Sequence, residues 1–359
     1  MKIVLTGGGT AGHVTPNIAL MPGLKERGYD ISYIGTYAGI EKKLITDCGI
    51  PYYGISSGKL RRYFDIKNFS DPVRVLKGYR QARSLMRKLK PDVVFSKGGF
   101  VSVPVVLAAH HCNIPVIIHE SDLTPGLANK ICIPVAKKVC CNFPETLKYL
   151  PEGKAVLTGS PIRAELTGGN CENARALCRF HDDRKVVLVI GGSTGSKYIN
   201  TTVRNMLPEL LKYYQIIHLC GKGNLDPSLE GRDGYAQFEY AGKELADFFA
   251  LCDLVVSRAG ANAICEFLAL RIPNILIPLS ASASRGDQIL NAHSFENQGF
   301  SYVIEEENLT GLILKDAIEK VLEDKECYIA AMADSHQLDS IHTILDLIDE
   351  ASGRAAINS

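Results

Sequence analysis

Short apolar runs rich in β-branched residues alternate with helical segments along the first half of the chain. The runs lie at residues 3–6, 31–34, 93–96 and 116–119, and a helix is predicted over residues 15–27. Buried parallel strands joined by crossover helices have this pattern. The first half therefore predicts a parallel sheet of the α/β class.

The same pattern begins again in the second half. Apolar runs at residues 186–190, 216–219, 254–257 and 274–277 predict a second sheet, followed by helices over residues 312–322 and 330–349. Glycine, proline and polar residues cluster near residues 159–170. We therefore predict two Rossmann-like doubly wound α/β domains, residues 1–162 and 163–359, whose last helix could cross back to the first domain. The ligand site is expected in the cleft that the two domains face, at the carboxyl ends of the strands.

The charge distribution differs sharply between the two halves. The 359 residues are too many for one comfortable hydrophobic core, and the net charge of +1 favours neither a nucleic-acid binder nor an acidic disordered chain. However, residues 1–160 contain 22 Lys and Arg against 11 Asp and Glu, whereas residues 161–359 contain 18 against 28. The two domains are therefore expected to meet different partners.

The 11 cysteines show no Cys-x-x-Cys spacing, so they predict neither a disulfide framework nor a zinc site. Most lie in apolar runs, where a thiol behaves as a small hydrophobic group, and a reducing cytosol is the expected compartment. No segment has the length and apolarity of a signal peptide or a membrane span. We therefore expect a protein that is neither secreted nor membrane-spanning.

A glycine-rich loop, residues 7–12 with the sequence GGGTAG, follows the first strand and precedes the first helix. It satisfies the G-x-G-x-x-G pattern, which alone is a weak indicator of dinucleotide binding. The second strand ends at Thr36 without the carboxylate that would hold a ribose, which argues against NAD. The loop's backbone amides suit a phosphate or diphosphate, and a tight turn without a ligand is the alternative.

His13 comes directly after this loop, and Pro16 marks the start of the helix. An isolated histidine is usually structural. Beside a candidate phosphate site, however, its ordinary pKa suits the removal of a proton near neutral pH, so His13 is a candidate general base.

Three segments of the second half each follow a predicted strand. They are residues 191–195 (GGSTG), 257–266 (SRAGANAICE) and 286–292 (GDQILNA). The middle segment opens a helix whose first amides could hold a diphosphate, and Glu266, about two turns in, could accept both hydroxyls of a ribose. The alternative for Glu266 is a solvated helix carboxylate. All three segments could converge on one ligand.

Six motifs run through the chain in order: residues 8–16 (GGTAGHVTP), 97–102 (KGGFVS), 119–120 (HE), 159–163 (GSPIR), 191–193 (GGS) and 257–266. Together they resemble the MurG family, the transferases that make lipid II, over about residues 1–350. The resemblance implies a GT-B type glycosyltransferase fold. It also implies an inverting transfer of N-acetylglucosamine from UDP-N-acetylglucosamine to the C4 hydroxyl of undecaprenyl-linked muramoyl-pentapeptide, a step of peptidoglycan synthesis and hence of cell-wall growth, cell shape and division.

The resemblance assigns most of the donor site to the C-terminal domain. It implies that Ser193 and the helix start at Ala261, Asn262 and Ala263 hold the diphosphate, with Glu266 on the ribose. It further implies donor contacts from Arg163 and Gln288, support from Asn200 and Arg258, and recognition of uracil by the main chain near Gly242. The acceptor diphosphate would lie against residues 8–12, which include Thr10, Ala11 and Gly12.

Two positions depart from the family pattern. Residues 120–122 read Glu-Ser-Asp where the family commonly has Glu-Gln-Asn, so Asp122 places a carboxylate where an amide would contact the donor sugar. Phe100 stands where tyrosine is frequent, so that position lacks a hydroxyl.

An inverting displacement needs a base for the acceptor hydroxyl and stabilisation of the departing diphosphate. His13 is the first candidate for the base and Glu120, at the end of a strand, is the second; a buried structural carboxylate is the alternative for Glu120. The chain has no Asp-x-Asp triplet to hold a metal against a diphosphate. We therefore expect no metal cofactor, with helix N-termini and Arg163 supplying the positive field.

Residues 59–90 contain eleven Lys and Arg among aromatic and aliphatic residues, against Asp65 and Asp71. Such a run is commonly a solvated helix face. In a basic domain it also fits docking on anionic lipid, where each basic group contributes about 1 kcal/mol. The aliphatic neighbours favour a membrane over nucleic acid. A peripheral position on the cytoplasmic face of the bacterial membrane is expected.

Three alternative functions remain open from the sequence. One is a transferase of the same fold that glycosylates diacylglycerol or another lipid. Another is a non-catalytic protein that binds a nucleotide sugar and passes it to a partner. The third is a dehydrogenase, which would bind NADH.

Overall fold

The computed structural model describes residues 1–58, 71–192, 194–281, 286–335, 337 and 339–354, with only the backbone for residues 71 and 72. The chain divides into two compact units. The first contains Met1–Arg163 together with the chain from Asp339 onward, and the second contains Ala164–Leu338.

The first unit is built on a parallel seven-stranded sheet in the order β3-β2-β1-β4-β5-β6-β7. Its strands are β1 (Lys2–Thr6), β2 (Asp30–Thr36), β3 (Tyr52–Ile55), β4 (Val93–Ser96), β5 (Val116–Glu120), β6 (Lys138–Cys141) and β7 (Ala155–Leu157). Its connecting helices are α1 (Thr15–Glu26), α2 (Ile40–Asp47), α3 (Asp71–Leu89), α4 (Ser102–His111) and α5 (Leu127–Cys132). The order reverses at β1, which lies between β2 and β4.

The central strands of this sheet are buried on both faces. Leu5 and Phe95 belong to one hydrophobic core, whereas the residues directly before them, Val4 and Val94, belong to the core on the other face of the sheet. Because side chains alternate across a strand, helices on both faces require a continuous apolar run. This is why the runs at residues 3–6, 93–96 and 116–119 could be recognised.

The second unit contains a parallel six-stranded sheet in the order β10-β9-β8-β11-β12-β13. Its strands are β8 (Lys185–Ile190), β9 (Tyr214–Leu219), β10 (Tyr235–Phe238), β11 (Leu254–Ser257), β12 (Asn274–Leu276) and β13 (Tyr302–Val303). Its helices are α6 (Cys171–Cys178), α7 (Lys197–Leu210), α8 (Glu244–Leu251), α9 (Ala261–Leu270), α10 (Asp287–Asn297), α11 (Gly311–Glu323) and α12 (Lys325–Ala333). The predicted helix over residues 312–322 is confirmed as α11.

The last helix, α13 (Ser340–Ser352), packs within the first unit. Leu345 lies in the core of that unit, and the Asp349 carboxylate accepts hydrogen bonds from Arg27 at 2.7 Å and from the Tyr29 hydroxyl at 2.6 Å. The prediction of one helix over residues 330–349 is wrong, because α12 ends at Ala333 and α13 begins at Ser340. The polar residues between them, including Ser335 and Asp339, are weak helix formers.

In the part of the chain that the structure describes, no helix is long and apolar enough to cross a membrane.

Candidate active site

The glycine loop of the first unit lies at the point where the strand order reverses. Gly7 and Gly8 are buried, whereas Gly9, Thr10 and Ala11 are exposed. Residues Ala11–His13 form one 3₁₀ turn directly before α1, in which Pro16 is the second residue. The predicted order of strand, glycine loop and helix is therefore confirmed, and Thr10, Ala11 and Gly12 lie at this loop.

A carboxylate that the sequence analysis missed lies beneath this loop. Glu41, on α2, is fully buried and accepts hydrogen bonds at Oε1 from the Thr36 backbone at 3.0 Å and the Thr36 hydroxyl at 2.6 Å. Its Oε2 lies 3.4 Å from the Gly9 nitrogen. A Cβ at Gly8 would come within 2.7 Å of this carboxylate.

A carboxylate therefore does lie at the end of β2, although it belongs to α2. The absence of such a group from the strand itself was the reason given above against NAD. That carboxylate faces the glycine loop and Thr36, and it is fully buried. It does not present itself to solvent as a ribose acceptor would. This geometry does not favour a dinucleotide site.

His13 is half-buried, and its Nδ1 lies 3.1 Å from the Thr10 hydroxyl. Burial lowers the pKa of His13 to about 4; the nearby Lys97 ammonium acts in the same direction, and the Glu41 carboxylate opposes it. The imidazole is therefore neutral at pH 7 and able to accept a proton.

Lys97 follows β4 and is only 1% exposed. Its ammonium donates hydrogen bonds to His119 Nδ1 and to the Ser121 hydroxyl, both at 2.7 Å. His119 Nε2 lies 2.9 Å from the Gly159 carbonyl oxygen. These contacts join the carboxyl ends of β4 and β5, and sequence reasoning assigned no role to Lys97.

Glu120 ends β5 and is 4% exposed. Its Oε1 accepts from the amides of Ser121 at 2.8 Å and Asp122 at 3.1 Å. Its Oε2 accepts from the Gly126 amide at 2.9 Å and the Asn129 side chain at 2.8 Å. Burial raises the pKa of this carboxyl group, and the hydrogen bonds from Asn129, Gly126 and Asp122 act against that rise only in part. The carboxylate is thus bonded within its own loop, which favours the structural interpretation.

The remaining candidates of the first unit lie near this edge of the sheet or at the end of the unit. Asp122 and Phe100 are half-buried in the segments that follow β5 and β4. The Asp122 charge raises the pKa of Glu120. Arg163 is half-buried and is the last residue of the unit before the chain enters the second.

In the second unit, the three predicted segments follow three neighbouring strands. Gly191 and Gly192 follow β8, the segment from Arg258 follows β11, and α10 begins after the chain leaves β12. Because β8, β11 and β12 are adjacent and parallel, their carboxyl ends lie along one edge of the sheet. The structure therefore brings the segments to a common edge.

Arg258 ties these segments together. Its guanidinium donates to the carbonyl oxygens of Ile277 and Pro278 at 3.1 and 3.2 Å and to the Ser196 hydroxyl at 2.7 Å, and it forms an ion pair with Glu306. Ser196 is the N-cap of α7. Arg258 thus holds loops from several strands in place.

Asn200, in the first turn of α7, is 3% exposed. Its amide donates to the Cys220 carbonyl at 2.9 Å, and its oxygen lies 3.0 Å from His218 Nε2. The side chain is therefore enclosed within the unit.

The helix α9 begins at Ala261 with Gly260 as its N-cap, so Ala261, Asn262 and Ala263 form its first turn. Glu266 is half-buried three positions later in the next turn. At α10, the Gln288 side-chain oxygen accepts from the Leu279 amide at 3.0 Å. At the start of α8, the Gly242 amide donates to the Glu244 carboxylate at 2.9 Å, so that amide is bonded within its own turn.

Two predictions concern residues outside the described part of the chain. Ser193 lies there, and so do residues 59–70 of the basic segment.

Comparison with known proteins decides the family. Residues 3–141 match the model of the glycosyltransferase family 28 N-terminal domain, and residues 186–348 match that of the family 28 C-terminal domain. The chain belongs to glycosyltransferase family 28. Its relatives include a protein of Lachnospira eligens, 64% identical over 98% of this chain and 99% of the relative. Another, from Clostridium perfringens, is 58% identical over 98% of both chains.

Both relatives are named UDP-N-acetylglucosamine--N-acetylmuramyl-(pentapeptide) pyrophosphoryl-undecaprenol N-acetylglucosamine transferase. Among solved structures, MurG of Acinetobacter baumannii aligns with a TM-score of 0.76 at 26% identity, covering 97% of this chain and 99% of that one. The glycotransferase of kitacinnamycin aligns with a TM-score of 0.75 at 16% identity, covering 98% of both chains, a likeness of fold alone. The predicted fold class and the resemblance to the MurG family are confirmed, and this family 28 chain is a glycosyltransferase.

Proposed function

We propose that this chain transfers N-acetylglucosamine from UDP-N-acetylglucosamine to the C4 hydroxyl of undecaprenyl-diphospho-muramoyl-pentapeptide. The observation that carries this proposal is identity of 64% and 58% to transferases of that name across almost the whole of both sequences. The reaction is an inverting single displacement: the acceptor oxygen attacks the anomeric carbon, that hydroxyl loses its proton to a base, and UDP leaves.

His13 is the proposed base. It lies at the glycine loop, and a pKa of about 4 leaves its imidazole unprotonated at neutral pH. Glu120 is less suited to the role, because all four of its hydrogen bonds go to donors of its own loop and to Asn129. We assign Glu120 to holding that loop, with Asp122 beside it at the position that would contact the donor sugar.

The donor is proposed to bind at the carboxyl edge of the second sheet. The first turn of α9, Ala261–Ala263, supplies amides for the diphosphate, and Glu266 accepts the ribose hydroxyls. Gln288 and Arg163 contact the donor. Ser193 contacts its phosphates, and the main chain near Gly242 contacts its uracil. Arg258 and Asn200 hold this edge in shape through the contacts described above.

The diphosphate charge is proposed to be stabilised without a metal. The amides at the start of α9 and the Arg163 guanidinium supply the positive field that the leaving group needs.

Docking on an anionic membrane surface is proposed for the basic segment. In α3, Val73 is 68% exposed and Leu76 is 51% exposed. Arg74 and Lys77 are exposed on the same helix. Apolar side chains flanked by cations are typical of a surface that lies on anionic lipid without crossing it. We therefore propose that the transferase acts at the cytoplasmic face of the membrane.

The test is a transfer assay with labelled UDP-N-acetylglucosamine, UDP-glucose or UDP-galactose as donor, and the muramoyl-pentapeptide lipid or diacylglycerol as acceptor. We expect product only with UDP-N-acetylglucosamine and the muramoyl lipid. His13→Ala should lower kcat by about 10² to 10⁴-fold, while His110→Ala, at an exposed histidine of α4, serves as the matched control. Transfer to diacylglycerol would replace the proposal with the glycolipid alternative. Full activity of His13→Ala would remove His13 as the base, and donor binding without transfer to any acceptor would favour a carrier.

A further inference from the structure

The Lys97 ammonium has a defined set of partners inside the first unit. It donates to His119 Nδ1 and to Ser121 Oγ at 2.7 Å each, while the Lys97 backbone amide donates to the Thr6 carbonyl oxygen at 2.9 Å. Lys97 therefore touches the ends of β1, β4 and β5. These are the three strands that carry the glycine loop, the 98–99 turn and the Glu120 loop.

The hydrogen bonds fix the protonation of this cluster. The Gly159 carbonyl oxygen can only accept, so His119 Nε2 carries the hydrogen and donates to it. Nδ1 is then the lone-pair nitrogen and accepts from the Lys97 ammonium. Burial and the Lys97 charge both lower the pKa of His119 well below its usual range. The cluster thus keeps one positive charge, on Lys97.

The turn that follows Lys97 touches both the glycine loop and the candidate base. Gly98 and Gly99 have φ angles of +94° and +84°, which favour glycine. A Cβ at Gly99 would lie 2.3 Å from the Gly8 carbonyl oxygen. A Cβ at Gly98 would lie 3.6 Å from Cδ2 of the His13 ring. Moving Lys97 would therefore move the backbone that packs against His13.

We propose that Lys97 is a positioning residue for His13: by clamping His119 and Ser121 it fixes the 98–99 turn against the His13 ring and places a buried positive charge beside it. The inference rests on the role proposed above for His13. It also gives a partner to Ser121, which stands at a position where this chain departs from the family pattern: its hydroxyl accepts from the Lys97 ammonium.

Charged side chains from two elements act on the pKa of His13. Lys97, after β4, lowers the pKa of His13, and Glu41, on α2, raises it. His119, on β5, is neutral. Burial is the largest cause of the low pKa and would remain, so removing the Lys97 charge should raise the pKa of His13 only part of the way from about 4 towards its ordinary value.

The experiment compares Lys97→Met, Ser121→Ala and the control Lys43→Met, which removes an exposed lysine of α2. In the full chain, the titration of His13 is followed by NMR with labelled histidine, and kcat and KM for both substrates are measured from pH 5 to 8. For Lys97→Met we expect a raised pKa of His13, a fall in kcat of about tenfold or more, and an unchanged KM for the donor. Ser121→Ala keeps the charge, so the pKa of His13 should stay while kcat falls by less.

The outcomes separate this inference from the proposed function. A raised pKa of His13 without any change in the pH profile of kcat/KM supports the action of Lys97 and removes His13 as the base. The same titration and the same kcat in Lys97→Met and Lys43→Met overturn the inference.

The wild-type protein gives a further test that needs no variant to fold. Its His119 should show the Nε2–H tautomer and no titration between pH 5 and 8. An Nδ1–H tautomer, or a titration in that range, also overturns the inference.

Discussion

Glu41→Gln tests whether a buried carboxylate holds the glycine loop in place. The substitution keeps the shape of the side chain but turns one carboxylate oxygen into an NH₂ group. If the remaining oxygen stays on Thr36, the NH₂ group faces the Gly9 N–H, whose present acceptor lies at 3.4 Å. Because Gly9 is exposed, water can satisfy its N–H at little cost, whereas loss of the charge weakens the two bonds from Thr36 by about 1 kcal/mol in total. We therefore expect the loop to lose about 1 kcal/mol of local stability.

Native-state hydrogen exchange measures this loss directly, because it reports local opening rather than the unfolding of either unit. A loss of about 1 kcal/mol would speed exchange of the Thr36 amide about fivefold. In the transfer assay, KM for the lipid acceptor should rise while KM for the donor stays unchanged. Glu26→Gln, at an exposed glutamate of α1, is the matched control. Exchange and acceptor KM that match this control would refute the reasoning.

Three further predictions follow from the structure. His218 is fully buried, and burial lowers its pKa to about 3. Below pH 6.5 this histidine is protonated in the unfolded chain but not in the folded one, so the denaturant midpoint should fall as the pH is lowered from 6.5 towards 3. His218→Gln should make that fall shallower. Gly23→Ala should destabilise the protein by about 1–3 kcal/mol, because its Cβ would lie 2.5 Å from Leu345 Cδ1. In a Leu345→Ala background, the Gly23→Ala change should be neutral or stabilising in thermal unfolding. The same penalty in both backgrounds would contradict the packing of α13. Transfer activity should survive EDTA, and recovery only on addition of a divalent cation would contradict the metal-independent proposal.

The sequence predicted most of the strands that are buried along their length, but it missed β6, which is buried from Val139 to Cys141. The runs at residues 93–96 and 254–257 match β4 and β11 because helices cover both faces of these central strands. The half-buried strands β7 and β13 were missed, since two or three partly exposed residues produce no clear pattern. The break before α13 was missed because the apolar residues on each side can be read as one helical stripe.

The parts of the candidate site that lie at the carboxyl ends of strands could be predicted from the sequence. Glycine loops and helix starts at the carboxyl ends of β1, β8 and β11 follow from the α/β pattern alone. The partners of Lys97 could not be predicted, because His119 and Ser121 are more than twenty residues away and meet it only through the pairing of β4 with β5.

Glu41 was missed for a related reason, and its position limits where an acceptor diphosphate can bind. The sequence rule looks for a carboxylate at the end of β2, whereas Glu41 lies on the next helix and reaches back. It fits because Gly8, Gly35 and Gly39 have no Cβ, and a Cβ at any of them would come within 3 Å of the Glu41 side chain. A diphosphate at Gly9 would meet this buried negative charge at close range. The proposed acceptor diphosphate is therefore better held by the amides of residues 10–12, farther along the loop and next to His13.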